Sequence, residues 1–141
     1  MNGFLLNTNT ISGLVSIKPH QSVLDWMDAA DENRLFLSVM TLGEIRQGVA
    51  ALPQSKKRTR LETWLDVDLQ LRFAGRILAI DSAVADRWGW IMAQAQVKGM
   101  TLPVVDGLLA ATALHHNRTA VTRNVTDFAA TGLSVINPWE A

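Results

Sequence analysis

The chain has 141 residues, of which 48% are hydrophobic, and its 13 Lys and Arg residues balance its 13 Asp and Glu residues. This length suits a single domain over residues 1–141 with a substantial core, and the zero net charge excludes a global basic field, so that any nucleic-acid surface must be a local patch. Without cysteine the chain forms no disulfide or thiolate site, and without an uncharged apolar run of roughly 18 residues it spans no membrane, so we expect a cytoplasmic protein.

The N-terminal half alternates short apolar runs with segments of helical spacing. Phe4–Leu6 is an apolar run that predicts a strand, and the polar residues after it, Asn7 to Thr10, suit a turn into a helix. Apolar side chains three and four residues apart predict the helices that follow. In chain order, the predicted elements are a strand at 4–6, a helix at 11–16, a helix ending near Ala30, a strand at 35–39, a helix opened by Thr41 and a helical segment over 54–73.

The C-terminal half continues the alternation. Asp81 suits the N-cap of a helix that runs to Ala95 and stops at Gly99, and Asp106 precedes an apolar helix that extends to His116. Further strands are predicted over 76–80, 119–122 and 133–136. Strands that alternate with helices indicate an α/β fold, with a mostly parallel sheet of about five strands and helices on both faces.

Polar residues fall close after several of the apolar runs. They are Asn7, Glu44 slightly further on, Asp106, and the stretch from Asn124 to Asp127. In an open parallel sheet, ligands bind at the carboxyl ends of the strands, so these residues can converge on one cleft. Neighbouring carboxylates repel each other unless a divalent cation neutralises them, and hard oxygen ligands select Mg²⁺ or Mn²⁺. Such a site can polarise a phosphodiester and activate water at neutral pH.

Each acid taken singly also has a purely structural interpretation. Thr41 and Glu44 have the spacing of a capping box, in which the glutamate bonds back to the start of its own helix. Asp106 can be the N-cap of the helix that follows it, and Asp127 can close a turn before Phe128. Spacing alone leaves these alternatives open.

The densest positive cluster lies in the predicted helical segment 54–73. Its members are Lys56, Lys57, Arg58 and Arg60. These side chains can bind RNA phosphates, which would make affinity depend on salt, or they can form a solvated helix face. Because the chain has no net charge, any nucleic-acid surface on it needs such a local patch.

Four ordered segments resemble the successive motifs of PIN-domain toxins, in particular VapC toxins of the FitB-like branch. They are FLLNTN at 4–9, TLGEIRQG at 41–48, LPVVDGLLAATA at 102–113 and VTRNVTDF at 121–128, and the closing segment 135–139 is similar as well. The resemblance implies a PIN-like three-layer sandwich. It also implies a Mg²⁺- or Mn²⁺-dependent endoribonuclease that acts on structured RNA, such as tRNA or ribosomal RNA.

The resemblance assigns roles residue by residue. The catalytic and metal-binding acids of the family fall at Asn7, Glu44, Asp106 and Asp127. Two further residues match positions that support the acidic cluster, and these are Thr122 and Asn124. The implied partners are a VapB-type antitoxin that holds the enzyme inactive and a second copy of the chain in a homodimer. These assemble into a larger toxin–antitoxin complex that contacts DNA only through the antitoxin.

Asn7 departs from the family pattern. An amide keeps the shape of a carboxylate but carries no charge and has a single oxygen, so it is a poorer Mg²⁺ ligand and predicts a crippled enzyme. Both a degenerate natural member and an inactivating substitution fit this pattern, and the otherwise intact motifs favour the second. An alternative function is a catalytically dead module that docks an antitoxin and assists repression. The run from Asn7 to Thr10 also resembles the haloacid-dehalogenase motif Asp-x-Asp-x-Thr, although both acids are missing.

Overall fold

The structure, a computed structural model, describes residues 3–140, and within them five short strands form one sheet. The strands are β1 (Phe4–Leu6), β2 (Leu35–Ser38), β3 (Ile77–Leu78), β4 (Thr119–Val121) and β5 (Val135–Ile136). Their order across the sheet is β3-β2-β1-β4-β5, and every pairing is parallel. β1 lies at the centre, where Leu5 stands opposite Phe36 on one side and Ala120 on the other. The predicted five-strand parallel sheet is confirmed.

Helices connect the strands and cover the sheet. They are α1 (Thr8–Gly13), α2 (Gln21–Ala29), α3 (Val39–Ala50), α4 (Lys56–Thr63), α5 (Leu69–Arg72), α6 (Ser82–Val97), α7 (Val104–His115) and α8 (Val125–Ala129). A 3₁₀ turn at Glu32–Arg34 precedes β2, and a π-helical turn at Trp64–Asp68 joins α4 to α5. In the described part of the chain, no helix combines the length and the apolar character that crossing a membrane requires.

Two cores lie on opposite faces of the sheet. Successive strand residues point to opposite faces, so Leu5 packs in a core with α6, α7 and α8, whereas Leu6 packs in a core with α1, α3 and α5. The neighbouring strand repeats this alternation, with Ala120 in the first core and Val121 in the second. Both strands are therefore buried on both faces, and the predicted three-layer architecture is confirmed.

Several helices begin earlier than the sequence predicts. α1 begins at Thr8, because the side chain of Asn7 accepts a hydrogen bond from the Thr8 amide. α3 begins at Val39 and not at Thr41, because the Ser38 hydroxyl caps it by accepting from the amide two residues on. The prediction that Thr41 opens α3 is therefore wrong. Asp81 is confirmed as the N-cap of α6, since its carboxylate accepts from the Val84 amide at 2.9 Å.

α6 and α7 pack closely where α7 lacks a side chain. A Cβ at Gly107 would lie 2.6 Å from the sulfur of Met92 and 3.2 Å from two indole atoms of Trp88. The Nε1 of the Trp88 indole donates a hydrogen bond to the carbonyl of Val104 at 3.3 Å. The first turn of α7, which carries Asp106, is thus positioned by direct contact with α6.

Candidate active site

Asn7 is buried at the carboxyl end of the central strand, with 6% of its surface exposed. Its Oδ1 accepts from the Thr8 amide at 2.9 Å, and its Nδ2 donates to the Thr122 hydroxyl at 2.8 Å. Its backbone amide donates to the carbonyl of Val121 on the neighbouring strand. Both ends of the side-chain amide are therefore hydrogen-bonded, which fixes its orientation.

Thr122 is a shared acceptor at the end of β4. Besides the Asn7 amide, its Oγ1 accepts from the backbone N–H of Asn124 at 3.1 Å and from the Nδ2 of Asn9 at 3.3 Å. The position of Thr122 supports the role predicted for it beside the acidic residues. Asn124 reaches this network through its backbone and not through a side-chain cap, because its side chain makes no cap hydrogen bond to α8.

Glu44 bonds to the start of α1 and not to the start of its own helix. Its Oε1 accepts a hydrogen bond from the Thr8 hydroxyl at 2.5 Å, and that hydroxyl also lies 3.1 Å from the Thr41 hydroxyl. The capping-box interpretation of Glu44 is therefore wrong, since Ser38 caps α3. Sequence reasoning missed Thr8 as the residue that orients Glu44. Its only sequence signal is a hydroxyl directly after a strand-end polar residue.

Asp106 and Asp127 each lie in the first turn of a helix. Asp106 is the third residue of α7, whose cap position is occupied by Pro103, so the N-cap interpretation of Asp106 is wrong. Asp127 is the third residue of α8, so the predicted turn before Phe128 is helical. Burial raises the pKa of Asp106 above its ordinary value, and the negative charges of Asp127 and Glu44 raise it further. The negative charges of both other carboxylates therefore reach Asp106.

The donor set suits a hard divalent cation by its chemistry. Three carboxylates and the Asn7 amide supply oxygen ligands, and the repulsion that raises the pKa of Asp106 is what a bound cation would relieve. In their present positions, however, no three acidic, histidine or cysteine side chains within residues 3–140 lie close enough together to hold one ion. The chemistry of a metal site is present, whereas its coordination geometry is not assembled.

A comparison with protein families identifies the fold. Residues 4–132 match the family described as PIN domain, and this range includes Asn7 and all three acids. The chain belongs to the PIN-domain family. The family predicted from the four motifs is therefore confirmed, and PIN nucleases as a class depend on divalent metals.

Relatives of this PIN domain are VapC and FitB proteins. It is 40% identical to the VapC ribonuclease Y4jK of Sinorhizobium fredii, covering 96% of the chain and 97% of that protein. It is 38% identical to the toxin FitB of Neisseria gonorrhoeae, with 96% and 97% covered. The crystal structure of FitAcB from Neisseria gonorrhoeae superimposes with a TM-score of 0.93 at 37% identity, covering 98% of this chain and 99% of that one. The structure of FitAB bound to an IR36 DNA fragment gives a TM-score of 0.92 at 37% identity, with 96% and 95% covered.

The predicted basic cluster is divided by the structure. Lys57 lines a groove of about 340 Å³ that also reaches Thr8 and Glu44, and Arg60 lies exposed further along α4. Lys56 is exposed as well. Arg58 turns away from this face, because its guanidinium pairs with Glu62 and donates to the carbonyl of Leu52. Of the four residues, Arg58 has an intramolecular structural role in this PIN domain.

The raised pKa of Asp106 predicts a pH-dependent stability of the metal-free protein. Between the ordinary pKa of an aspartate and the raised one, the folded protein binds more protons than the unfolded protein. The free energy of unfolding should therefore fall as pH rises through that window and stay low above it. Asp106→Asn should flatten this fall and be more stable than the parent above the window. Denaturant unfolding in EDTA across a pH series measures it, with the exposed Asp28→Asn as the matched control.

Proposed function

We propose that this PIN domain is the toxin of a toxin–antitoxin module, built as a divalent-metal-dependent endoribonuclease whose activity is suppressed by the amide at position 7. The observation that carries the proposal is that the charges of Glu44 and Asp127 reach Asp106 and raise its pKa, while Glu44 is bonded to Thr8, the residue next to Asn7 at the end of the central strand. It is supported by 40% identity to a VapC ribonuclease over nearly the whole chain.

The proposal assigns a role to each polar residue near the carboxyl ends of the central strands. Glu44, Asp106 and Asp127 would hold Mg²⁺ or Mn²⁺ once their side chains draw together around it, and the oxygen at position 7 would be a further ligand. Thr8 fixes the Glu44 carboxylate through its hydroxyl. When bound, the cation stabilises charge on the phosphodiester and lowers the pKa of water. Thr122 and Asn124 support the acidic residues indirectly. The Thr122 hydroxyl holds the side chain at position 7, and the backbone N–H of Asn124 donates to that hydroxyl.

RNA cleavage tests the proposal directly. The Asn7→Asp protein should cut tRNA or ribosomal RNA in millimolar Mg²⁺ and should not cut it in EDTA, and sequencing of the new RNA ends should show defined sites. Random ends at all positions would indicate a contaminating nuclease. Intact RNA in both conditions would reject the ribonuclease proposal.

A second candidate function is a catalytically dead binding module. The observation that favours it is Asn7 itself, whose amide is buried, caps α1 and is satisfied at both ends without any ligand. In this case the chain acts by docking its antitoxin and assisting repression of the shared promoter. Lack of cleavage by the Asn7→Asp protein, together with a stable antitoxin complex, would support this function.

The proposed partner is a VapB-type antitoxin, and the chain reaches DNA only through it. The support is the FitAB structure, a close structural match that is bound to a DNA fragment. A homodimer and a larger toxin–antitoxin assembly remain predictions of the family resemblance.

We expect the antitoxin to place a basic side chain, an arginine, beside Asp106. The negative charges of Asp127 and Glu44 that act on Asp106 in metal-free protein favour a positive charge at this point, and a guanidinium pairs with carboxylates in two parallel hydrogen bonds. Replacing every Arg and Lys in the antitoxin tail by Gln should weaken inhibition of the Asn7→Asp enzyme at least tenfold, an order-of-magnitude expectation for lost charge-assisted bonds. Unchanged inhibition would show that the antitoxin tail blocks the groove beside Glu44 by steric exclusion alone.

The exposed part of the α4 cluster should contribute to RNA binding. We expect lower RNA affinity and unchanged metal affinity in each of the variants Lys56→Ala, Lys57→Ala and Arg60→Ala. The salt slope, which is the slope of log affinity against log salt concentration, should fall by about one in each, as for one lost phosphate contact. Arg58→Ala is the internal control, because it should destabilise the fold by about 0.5–1 kcal/mol through its lost pair with Glu62 and leave the slope unchanged. Filter binding across a salt series measures the slopes, and identical slopes in all variants would make α4 a solvated face.

A further inference from the structure

A second cavity, of about 240 Å³, lies beside the carboxyl end of β4. It shares no lining residue with the groove beside Glu44. Its walls come from the end of α1, the connection to α2, the residue after Thr122 and the C-terminal segment. Three basic side chains and one indole line it, namely Lys18, His20, Arg123 and Trp139. Among residues 3–140, no acidic side chain contributes to this lining, so the cavity is suited to an anion.

Hydrogen bonds connect the start of α2 to the C-terminal segment in the walls of this cavity. The Ser22 hydroxyl donates to the carbonyl of Trp139 at 3.1 Å and lies 2.8 Å from the Nδ1 of His20. The Trp139 amide donates to the Asn137 side chain at 2.9 Å. The guanidinium of Arg123 lies 5.7 Å from the centroid of the indole, within the range of a cation–π contact. Arg123 is thus an exposed cation held against a ring that is itself fixed.

The cavity lies close to the candidate active site. Arg123 directly follows Thr122, which is bonded to the Asn7 amide. Asn7 also caps α1, while Gly13 at the other end of that helix lines the cavity. A helix of this length spans roughly 9 Å, so the cavity wall at Gly13 and the Asn7 cap are separated by about one short helix. Its volume is below the roughly 300 Å³ of typical small-molecule sites, which suits a phosphate with part of one nucleotide.

We propose that this cavity is a phosphate subsite for the RNA strand, in which Arg123 and Lys18 bind a backbone phosphate displaced along the strand from the bond at the acidic residues. The subsite rests on the proposed ribonuclease function. A guanidinium presents a planar fork that matches phosphate oxygens, and Trp139 holds this fork in place before RNA binds. RNA is favoured over an acidic peptide because Arg123 directly follows Thr122, whose hydroxyl accepts from Asn7, so the cavity adjoins the residues proposed to cleave RNA.

Binding of a single-stranded RNA oligonucleotide to the full chain tests the subsite. The parent protein with Asn7, kept in EDTA, reports binding without cleavage. Arg123→Gln and Lys18→Gln should each weaken binding by about threefold to tenfold and lower the salt slope by about one. Arg123→Lys should keep the slope but recover only part of the affinity, because lysine retains the charge and loses the fork. Arg87→Gln, an exposed cation on α6, is the matched control and should change neither.

Three results would overturn the subsite. The first is unchanged affinity in both Arg123→Gln and Lys18→Gln, provided that thermal melts show the parent fold, and the second is an equal loss in Arg87→Gln. The third is weaker binding of the antitoxin with unchanged binding of RNA, which would assign the cavity to an acidic peptide. Failure of the proposed function is distinct. If Asn7→Asp never cuts RNA while Arg123→Gln still weakens RNA binding, the nuclease proposal fails and the phosphate site stands.

Discussion

Asn7→Asp should produce Mg²⁺-dependent RNA cleavage, at a rate on the order of 100-fold or more above that of the parent chain. The surroundings of Asn7 already accommodate a carboxylate. One oxygen would keep the bond from the Thr8 amide, and the other would face the Thr122 hydroxyl, which can rotate to donate a proton. The substitution therefore adds a charge and a metal ligand without disturbing the cap of α1.

The same substitution should change stability in opposite directions with and without metal. In EDTA, a fourth carboxylate increases the repulsion that already raises the pKa of Asp106, so the Asp form should melt at a lower temperature than the parent. In Mg²⁺ the Asp form should gain more, about 2.7 kcal/mol where the ion is present at about 100 times its Kd. Thermal melts of both proteins in EDTA and in millimolar Mg²⁺ measure the difference.

Asn9→Asp is the matched control for this experiment. Asn9 also contacts the Thr122 hydroxyl and lies two residues from Asn7, so the substitution adds the same charge nearby. It should neither cut RNA nor increase stabilisation by Mg²⁺ to the same degree. If the two variants behave alike, or if neither responds to metal, position 7 has no special place in the site and serves only as the cap of α1.

Gly107→Val should destabilise the protein by about 2–3 kcal/mol, because two helices meet at this position without room for a side chain. The first added carbon would lie within 3.2 Å of the rigid indole of Trp88, and Met92 would also have to move. Relief of these contacts separates α7 from α6 and displaces the first turn that carries Asp106. In the Asn7→Asp background, cleavage should therefore fall by more than the loss of folded protein explains.

Gly43 provides a control in a helix with an open environment. Like Gly107, it lies in a helix next to a candidate acidic residue, in this case Glu44 of α3. In contrast to Gly107, nothing lies within 4 Å of a Cβ added there. Gly43→Val should change the free energy of unfolding by no more than about 0.5 kcal/mol. Urea unfolding of both variants, with activity normalised to the folded fraction, separates packing from helix propensity. Equal effects at the two positions would contradict the proposed positioning of Asp106 by α6.

Local patterns in the sequence were sufficient to predict the type of most elements. Strands buried on both faces appear as short apolar runs, and helices repeat their apolar side chains every three or four residues. The five strands, the parallel α/β class and the cap at Asp81 follow from such patterns because each depends on neighbours only a few residues away. The family motifs likewise predict that Asn7, Glu44, Asp106 and Asp127 share one site, and this remains a prediction.

Tertiary structure decided which of several competing local interactions forms. Thr41 and Ser38 are both residues that can cap a helix such as α3. Ser38 forms the cap because it ends β2 directly before the helix, where its hydroxyl accepts a hydrogen bond from the Met40 amide. Glu44 was then free to bond Thr8, which is 36 residues away in the chain. The bond between Asn7 and Thr122 spans 115 residues and exists because β1 and β4 are paired in the sheet. Sequence spacing reports hydrogen bonds within one or two turns, whereas the site is made by contacts that the order of strands creates.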